Sequence, residues 1–538
     1  RNYHFCLHFI RENDKTKKLN DTSYCLPRFH NLRNELKKEA RDVNNFLYQE
    51  SHIVNKFEFY RKFYPNIKRV LEHQKDLEND YIDFVYQKLI PYQRSDRGPA
   101  TAIGDLNGDG KDDIFFGGSK GISAKVFIQN ANGFAPKSFS SLENDAFFED
   151  ASAVILDANK DKKNELIVAS GGGQNAADLL SRAYSGDLLN RINLPKIAQN
   201  ASVVKAFDYD KDGDIDLFIG TNSDTNRFGS SSDCYLLNNK NGNFSVVQST
   251  TFHHIGMVTD AIFSDYNKDN FPDIIVVGEW MKPMFFTNNK GIFKDETTIY
   301  NPEKNSGLYQ SIHPFDIDKD GDLDYLVGNW GLNSKFKASS DFPMKMYYDD
   351  FDTNGTFETI ISIEKNGKYY TTMGLDELAE EFSGLLKKKF NDYKSFAGKQ
   401  LDEIFDSEML EKAKLYEVHN LQSGYLKNDN GTFTFVAFDN KMQVAPINSF
   451  VTINEDTKDK LVFAAGNYFG TTPYHSRMDG FSGALIFSNK KIKLGNTVGI
   501  DLNGKAVRHL DIIKINSKKY LMVTVNNGPV EVFEILIK

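Results

Sequence analysis

Acidic residues recur in this chain at every second position of short loops, and the loops themselves recur. The clearest copy runs from Asp316 through Asp318, Asp320, Gly321 and Asp322 to Asp324, and the apolar run Tyr325-Leu326-Val327 follows at once, then Gly328. Carboxylates at positions one, three, five and nine of a tight turn, with glycine at six, present the oxygens that a hard cation such as Ca²⁺ takes. Asp208, Asp210, Asp212 and Asp216 make a second such loop, and Asp105, Asn107, Asp109 and Asp113 a third. Asp157, Asn159, Asp161 and Glu165 make another, as do Asp265, Asn267, Asp269 and Asp273. The first residues of these five loops lie 51 to 57 positions apart. A sixth loop, Asp350, Asp352, Asn354 and Glu358, is out of phase with that period. The position-seven carbonyls of Lys111, Lys163, Asp214, Phe271, Asp322 and Thr356 are expected to complete each shell. Position six is held by Asn270 in the 265 loop and by Lys162 in the 157 loop. A left-handed lysine costs about 1–2 kcal/mol, so the 157 site is expected to be the weakest.

A period of this length built from short strands predicts an all-β fold, a β-propeller whose blades are four-stranded meanders. Residues 101–104 form an inner strand, the acidic loop follows, and 113–117, 125–129 and 133–137 complete the first blade. Residues 261–264, 273–277, 284–287 and 291–294 repeat the plan. Blades one to five are placed between about 97 and 365, the sixth loop lying between outer strands of blade five at 344–348 and 359–364. Seven blades are expected, with eight as the alternative. The last uses 507–515, 519–525 and 530–535, and 81–89 is expected to complete it as a strand. Leu375, Leu378, Phe382, Leu386 and Phe390, then Leu401, Phe405, Met409 and Ala413, follow helical spacing. They predict two or three helices inserted at about 374–414. Residues 1–75 carry no blade signal and read as a partly helical N-terminal extension, with a helix over 32–47; the propeller occupies 76–538.

Net charge is −9, and the acidic loops explain the excess without a basic partner. No apolar run is long enough to span a bilayer, and no basic stripe suited to nucleic acid, phosphate loop or nucleophile elbow is present. Three cysteines are too few for a disulfide framework; Cys6 and Cys25 pair or remain free thiols. The chain begins at Arg1, which reads as a fragment or a mature form. Weak calcium sites fill only where calcium is near-millimolar, so the expected compartment is extracellular or the cell surface, in association with an outer membrane.

Beyond the second strand of several blades lie Gly278-Glu279-Trp280, Gly328-Asn329-Trp330 and Gly466-Asn467-Tyr468. Repeat geometry gathers them on one face. Trp280, Trp330 and Tyr468 with the amides of Asn329 and Asn467 and the cation of Arg477 suit a carbohydrate or peptide ligand; packing between blades is the favoured account of the same residues. His253, His254 and His313 lack metal-ligand spacing and read as structural.

The loops resemble FG-GAP/VCBS repeats of integrin-like propellers, and more narrowly the VCBS repeat proteins of Bacteroidetes associated with ASPIC/UnbV domains. The residues that carry this are Glu78-Asn79-Asp80-Tyr81-Ile82-Asp83-Phe84, 97–105, 328–333, 376–378, 387–390 and 466–470. The resemblance covers about 75–538 and implies a secreted or surface-exposed propeller stabilised by about five or six Ca²⁺ ions. Three functions follow as expectations: a binding or scaffold module for a glycan or protein at the cell surface, within a larger surface complex; a polysaccharide lyase; or a purely structural domain. No catalytic set of base and cation emerges from the sequence, so an enzyme is the less favoured reading.

Overall fold

The computed structural model describes residues 57–60 and 81–537 apart from 96, 132, 173–175, 456–459 and 473–474. The helix expected over 32–47 and the pairing of Cys6 with Cys25 lie outside these residues. Residues 59–535 form one compact unit, described below.

Among the described residues seven antiparallel sheets share one four-stranded plan, and the fourth of them carries Gly307–Leu308 as an additional strand. Their first strands are Thr101–Gly104, Asp150–Leu156, Ala201–Phe207, Met257–Ser264, Ser311–Phe315, Ile447–Thr452 and Val507–Ile515. Each adjoins the next, and the last returns to the first, so the first strands ring a central axis. The molecule is an all-β propeller. The second strands are the most apolar elements. Asp113–Phe116, Glu165–Ser170, Asp216–Thr221 and Leu461–Gly466 are buried at every residue. Covered on both faces, such strands read as continuous apolar runs instead of alternating ones. Adjacent sheets share the resulting core: Val203, Phe218 and Leu236 of the third pack with Val258, Ile274, Val276 and Phe286 of the fourth.

Three sequence expectations are corrected. Residues 81–89 do not form a strand, because Asp83–Tyr86 is one helical turn; the sheet order instead gives the last blade Phe57–Tyr60 as its fourth strand. The outer strands of the fifth blade are Gly424–Asp429 and Thr432–Ala437, not the strands flanking the sixth acidic loop. Met344–Asp349 and Glu358–Lys365 belong to a separate sheet inserted between the second and third strands of that blade, ordered Lys368–Thr371, Glu358–Lys365, Met344–Asp349, Lys414–Val418. Finally, the insertion carries five short helices between Leu375 and Lys412 instead of two or three long ones. The backbone leaves the helical region at Phe382 (φ −99°, ψ 41°) and at Phe405 (φ −113°, ψ 143°). The apolar residues at helical spacing are nonetheless its core: Leu378, Phe382, Leu386 and Phe405 are buried together with Phe351 and Ile360.

Candidate metal sites and the opposite face

Each acidic loop of the ring joins a first strand to a second, so these loops emerge at one end of the central axis. Position six has the left-handed backbone that the sequence demands: Gly321 at φ +94°, Asn270 at +72° and Lys162 at +69°. Three loops draw three carboxylates within 4.8 Å of one another: Asp208, Asp210 and Asp212; Asp316, Asp318 and Asp320; and Asp350, Asp352 and Glu358. In the first two, Asp208 Oδ1, Asp316 Oδ1 and Asp318 Oδ1 are buried without a hydrogen-bond partner. Anionic oxygens desolvated in this way are costly unless a cation completes them. The donor set, all oxygen and on a turn, fits a hard cation. In the 105, 157 and 265 loops the turn instead consumes its own oxygens. Asp105 Oδ1 accepts from the Gly108 and Asp109 N–H groups, and Asp161 and Asp269 N–H groups donate to Asn159 and Asn267.

The position-nine aspartates do something that spacing alone does not reveal. Asp216 accepts from the Tyr209 N–H at 3.2 Å and, with its other oxygen, from the Asn239 N–H of the third strand at 2.8 Å. Asp113, Asp273 and Asp324 repeat this with Leu106 and Gln129, Tyr266 and Asn288, and Ile317 and Asn428. The carboxylate therefore clasps its loop to the sheet. Burial pushes Asp113 and Asp324 up to about 6 and Asp216 and Asp273 up to about 7, against the downward pull of these bonds. Glu358 is likewise raised to about 7 by burial, and Glu165 is raised. A cation in the same turn would favour the charged form of each.

The aromatic constellation lies at the other end of the axis, and it is buried. Trp280 is 4% exposed, Trp330 2% and Tyr468 3%, within one core that also contains Tyr92 and Phe228. Tyr92 lies 4.7 Å from the Trp330 ring and edge-on to Tyr468 at 6.4 Å. Asn329 and Asn467 spend their amides on backbone: Asn329 Nδ2 donates to Asn420 O at 3.0 Å, and Asn467 Nδ2 to Phe481 O at 2.9 Å. Arg477 is exposed and lies 3.8 Å above the Phe469 ring, outside this core. The structure thus brings the predicted aromatic residues together as packing, not as an open plate.

What covers them is the stretch of residues 89–95. The Gln93 N–H donates to Gly470 O at 2.7 Å, Tyr468 Oη donates to Gln93 O, and Arg94 reaches Ser223. Arg97 Nη2 donates to Glu279 Oε1 at 2.7 Å, where Gln310 Nε2 also donates at 2.9 Å. Glu279 is fully buried, and its Oε2 has no hydrogen-bond partner. Burial weakens the Arg97 charge, but Glu279 more than offsets this and holds the guanidinium above its ordinary value. Trp280, next in sequence, has φ +58°, an unusual conformation for a bulky residue, beside a register shift in its strand.

A family model described as FG-GAP-like repeat matches residues 208–276 and 265–327. The β-propeller carries FG-GAP-like repeats over residues 208–327. No curated protein matches it. Among solved structures, Saccharomyces cerevisiae Sqt1 is similar at 10% identity, covering 84% of this chain and 98% of that one, with a TM-score of 0.39. The V. cholerae biofilm matrix protein Bap1 is similar at 12% identity, with 83% and 88% covered and a TM-score of 0.39. An Agrocybe aegerita lectin, whose structure addresses recognition of terminal N-acetylglucosamine, is similar at 14% identity, with 64% and 82% covered and a TM-score of 0.29.

The matched repeats contain a further device. Asn288 Nδ2 donates to Pro272 O and to Tyr209 O of the preceding blade, both at 2.8 Å, while its Oδ1 accepts from the Gly291 N–H at 2.7 Å. Asn239 does the same with Ile215 O, Ala158 O and Gly242, and Gln129 donates to Asp112 O and Lys514 O. A recurring Asn-x-x-Gly at the turn between third and fourth strands, at 239–242, 288–291 and 428–431, is the sequence signal for it.

Proposed function

We propose that this chain is an extracellular, calcium-stabilised propeller that serves as a binding or scaffold module for a glycan or protein ligand. The observation that carries the calcium reading is the set of orphaned, buried oxygens on Asp208, Asp316 and Asp318, each within a group of three carboxylates. Asp208, Asp210 and Asp212 hold one ion, Asp316, Asp318 and Asp320 a second, and Asp350, Asp352 and Glu358 a third. Bound there, Ca²⁺ neutralises each acidic turn and fixes the strand connection. The remaining loops bind more weakly. Sites of this kind fill in millimolar calcium, which supports the extracellular assignment. The rest of the molecule is a rigid ring whose loops present surface to a ligand, the usual way a propeller binds.

Metal counting on the purified protein, with calorimetry in EDTA and in 1 mM Ca²⁺, tests this. A site with a dissociation constant of about 10 µM contributes about 2.7 kcal/mol in 1 mM Ca²⁺. Three such sites raise the melting temperature by roughly 8 °C, taking an unfolding entropy of about 1 kcal/mol/K for the 59–535 unit. Asp316→Asn with Asp318→Asn removes one ion of the three. A protein that holds no calcium and melts identically in both buffers overturns the reading.

A further inference from the structure

The axis of the ring is hollow. A cavity of about 470 Å³ is lined by the first strands of all seven sheets, a size within the range of small-ligand pockets. Toward the Arg97–Glu279 pair it continues into a space of about 130 Å³ beneath Arg94 and Arg97; Ser202, Thr259, Gln310 and Asn448 line both. At the acidic-loop end stand Phe207 and Phe263, stacked at 5.3 Å with an interplanar angle of 18°, and Phe207 is 42% exposed. The channel is therefore narrow at one end and rimmed by an accessible aromatic pair at the other.

Its polar lining carries both signs. Lys205 Nζ donates to Asp260 Oδ1 at 2.9 Å, and the other Asp260 oxygen accepts from the Ile312 N–H at 3.0 Å. That leaves further N–H groups on the Lys205 ammonium. Asp511 supplies the complementary acceptor: its Oδ2 is buried in the channel wall with no hydrogen-bond partner. His509, two residues away on the same strand, faces the same side, because side chains alternate along a strand. His313 donates to or accepts from Thr452 Oγ1 at 2.8 Å. Burial pushes both imidazoles down to about 4, so at neutral pH they are uncharged and each offers a donor and an acceptor.

A cationic ligand would meet Lys205 and Arg508 in this lining, and an anionic one the Asp260 carboxylate. A neutral ligand that both donates and accepts, and that has an apolar face for a phenyl ring, satisfies every one of these groups. We propose that the central channel binds a neutral saccharide, admitted at the Phe207–Phe263 rim, stacked there, and hydrogen-bonded by Lys205, His509 and Asp511 within. The inference rests on the binding-module reading and gives it a ligand class and a place.

Titration calorimetry and saturation-transfer NMR on the calcium-loaded protein test it, with N-acetylglucosamine, galactose, mannose and their β-linked dimers as probes. At least one probe should bind, and binding should weaken at least tenfold in Phe207→Ala and in Lys205→Met. Phe207 is exposed enough that its truncation leaves the fold intact, which circular dichroism and the melting temperature verify. Undiminished binding in a folded Phe207→Ala variant and in Lys205→Met overturns the channel site while leaving the module reading in place. Failure of every probe to bind the wild type overturns the saccharide assignment; the metal and melting experiment above then decides the calcium reading by itself.

Discussion

Replacing Arg97 by Met strands a carboxylate. Glu279 is fully buried, one of its oxygens is already without a partner, and Arg97 supplies the only opposite charge with which an ion pair is formed there among the described residues. Removing one member of a buried ion pair costs about 3–5 kcal/mol, because the other charge remains desolvated. The Arg97 side chain is 23% exposed, so water reaches that end of the pair and the lower bound, about 3 kcal/mol, applies. Unfolding of the 59–535 unit carries an entropy of about 1 kcal/mol/K, so the melting temperature should fall by roughly 3 °C. Arg97→Met with Glu279→Gln removes the charge along with its partner and should recover most of the loss. Calorimetry of the wild type, both single variants and the double variant at pH 8 provides the cycle. A single-variant deficit under about 1 °C, or a double variant no more stable than Arg97→Met, would refute the claim that this pair closes the channel as a desolvated unit.

The other expectations are more local. Lys162→Gly relieves a side chain held at φ +69° and should raise stability by about 0.5–1 kcal/mol, whereas Gly321→Ala, at φ +94°, should lower it by about 1–2 kcal/mol; paired melting curves compare them. Asn288→Ala breaks three hydrogen bonds at a fully buried position and leaves two carbonyls and an N–H unmatched, for a loss of about 2–4 kcal/mol in the same assay. Asp511, raised to about 7 by burial with Lys205 opposing, is stabilising in its protonated form below the unfolded value near 4, and that contribution is lost as pH rises through 7. Asp511→Asn should therefore match the wild type at pH 4 and exceed it at pH 8 by roughly 2–4 °C, an advantage on the order of 3 kcal/mol.

Local spacing was enough to find the blades, because the acidic turn and the buried strand behind it are contiguous in sequence. Asp316 to Asp324 with Tyr325-Leu326-Val327 shows both at once. The inserted sheet was misplaced for the opposite reason. Met344–Asp349 and Glu358–Lys365 look like blade strands, yet Met344–Asp349 pairs on its other edge with Lys414–Val418, far along the chain. No periodicity announces such a partner. Trp280, Trp330 and Tyr468 share one buried core with Tyr92, a residue outside the repeat that no spacing links to them. The position-nine aspartates were legible as acids and not as clasps, since the N–H groups they accept come from a third strand whose register only the fold sets.

Two different devices therefore secure the two ends of the same ring. At the acidic-loop end the parts that hold the ring recur: a carboxylate clasp, an Asn or Gln that crosses to the preceding blade, and in two loops, at 208–212 and 316–320, a group of carboxylates suited to a cation. At the other end one stretch of chain reaches residues of several blades at once through Tyr92, Arg94 and Arg97. Repetition secures the first end and leaves the rim at Phe207 and Phe263 open. A single crossing segment secures the second and narrows the channel to the space beneath Arg97. An axial cavity wide at one end and constricted at the other is the consequence, and it is this asymmetry that gives a ligand one direction of entry.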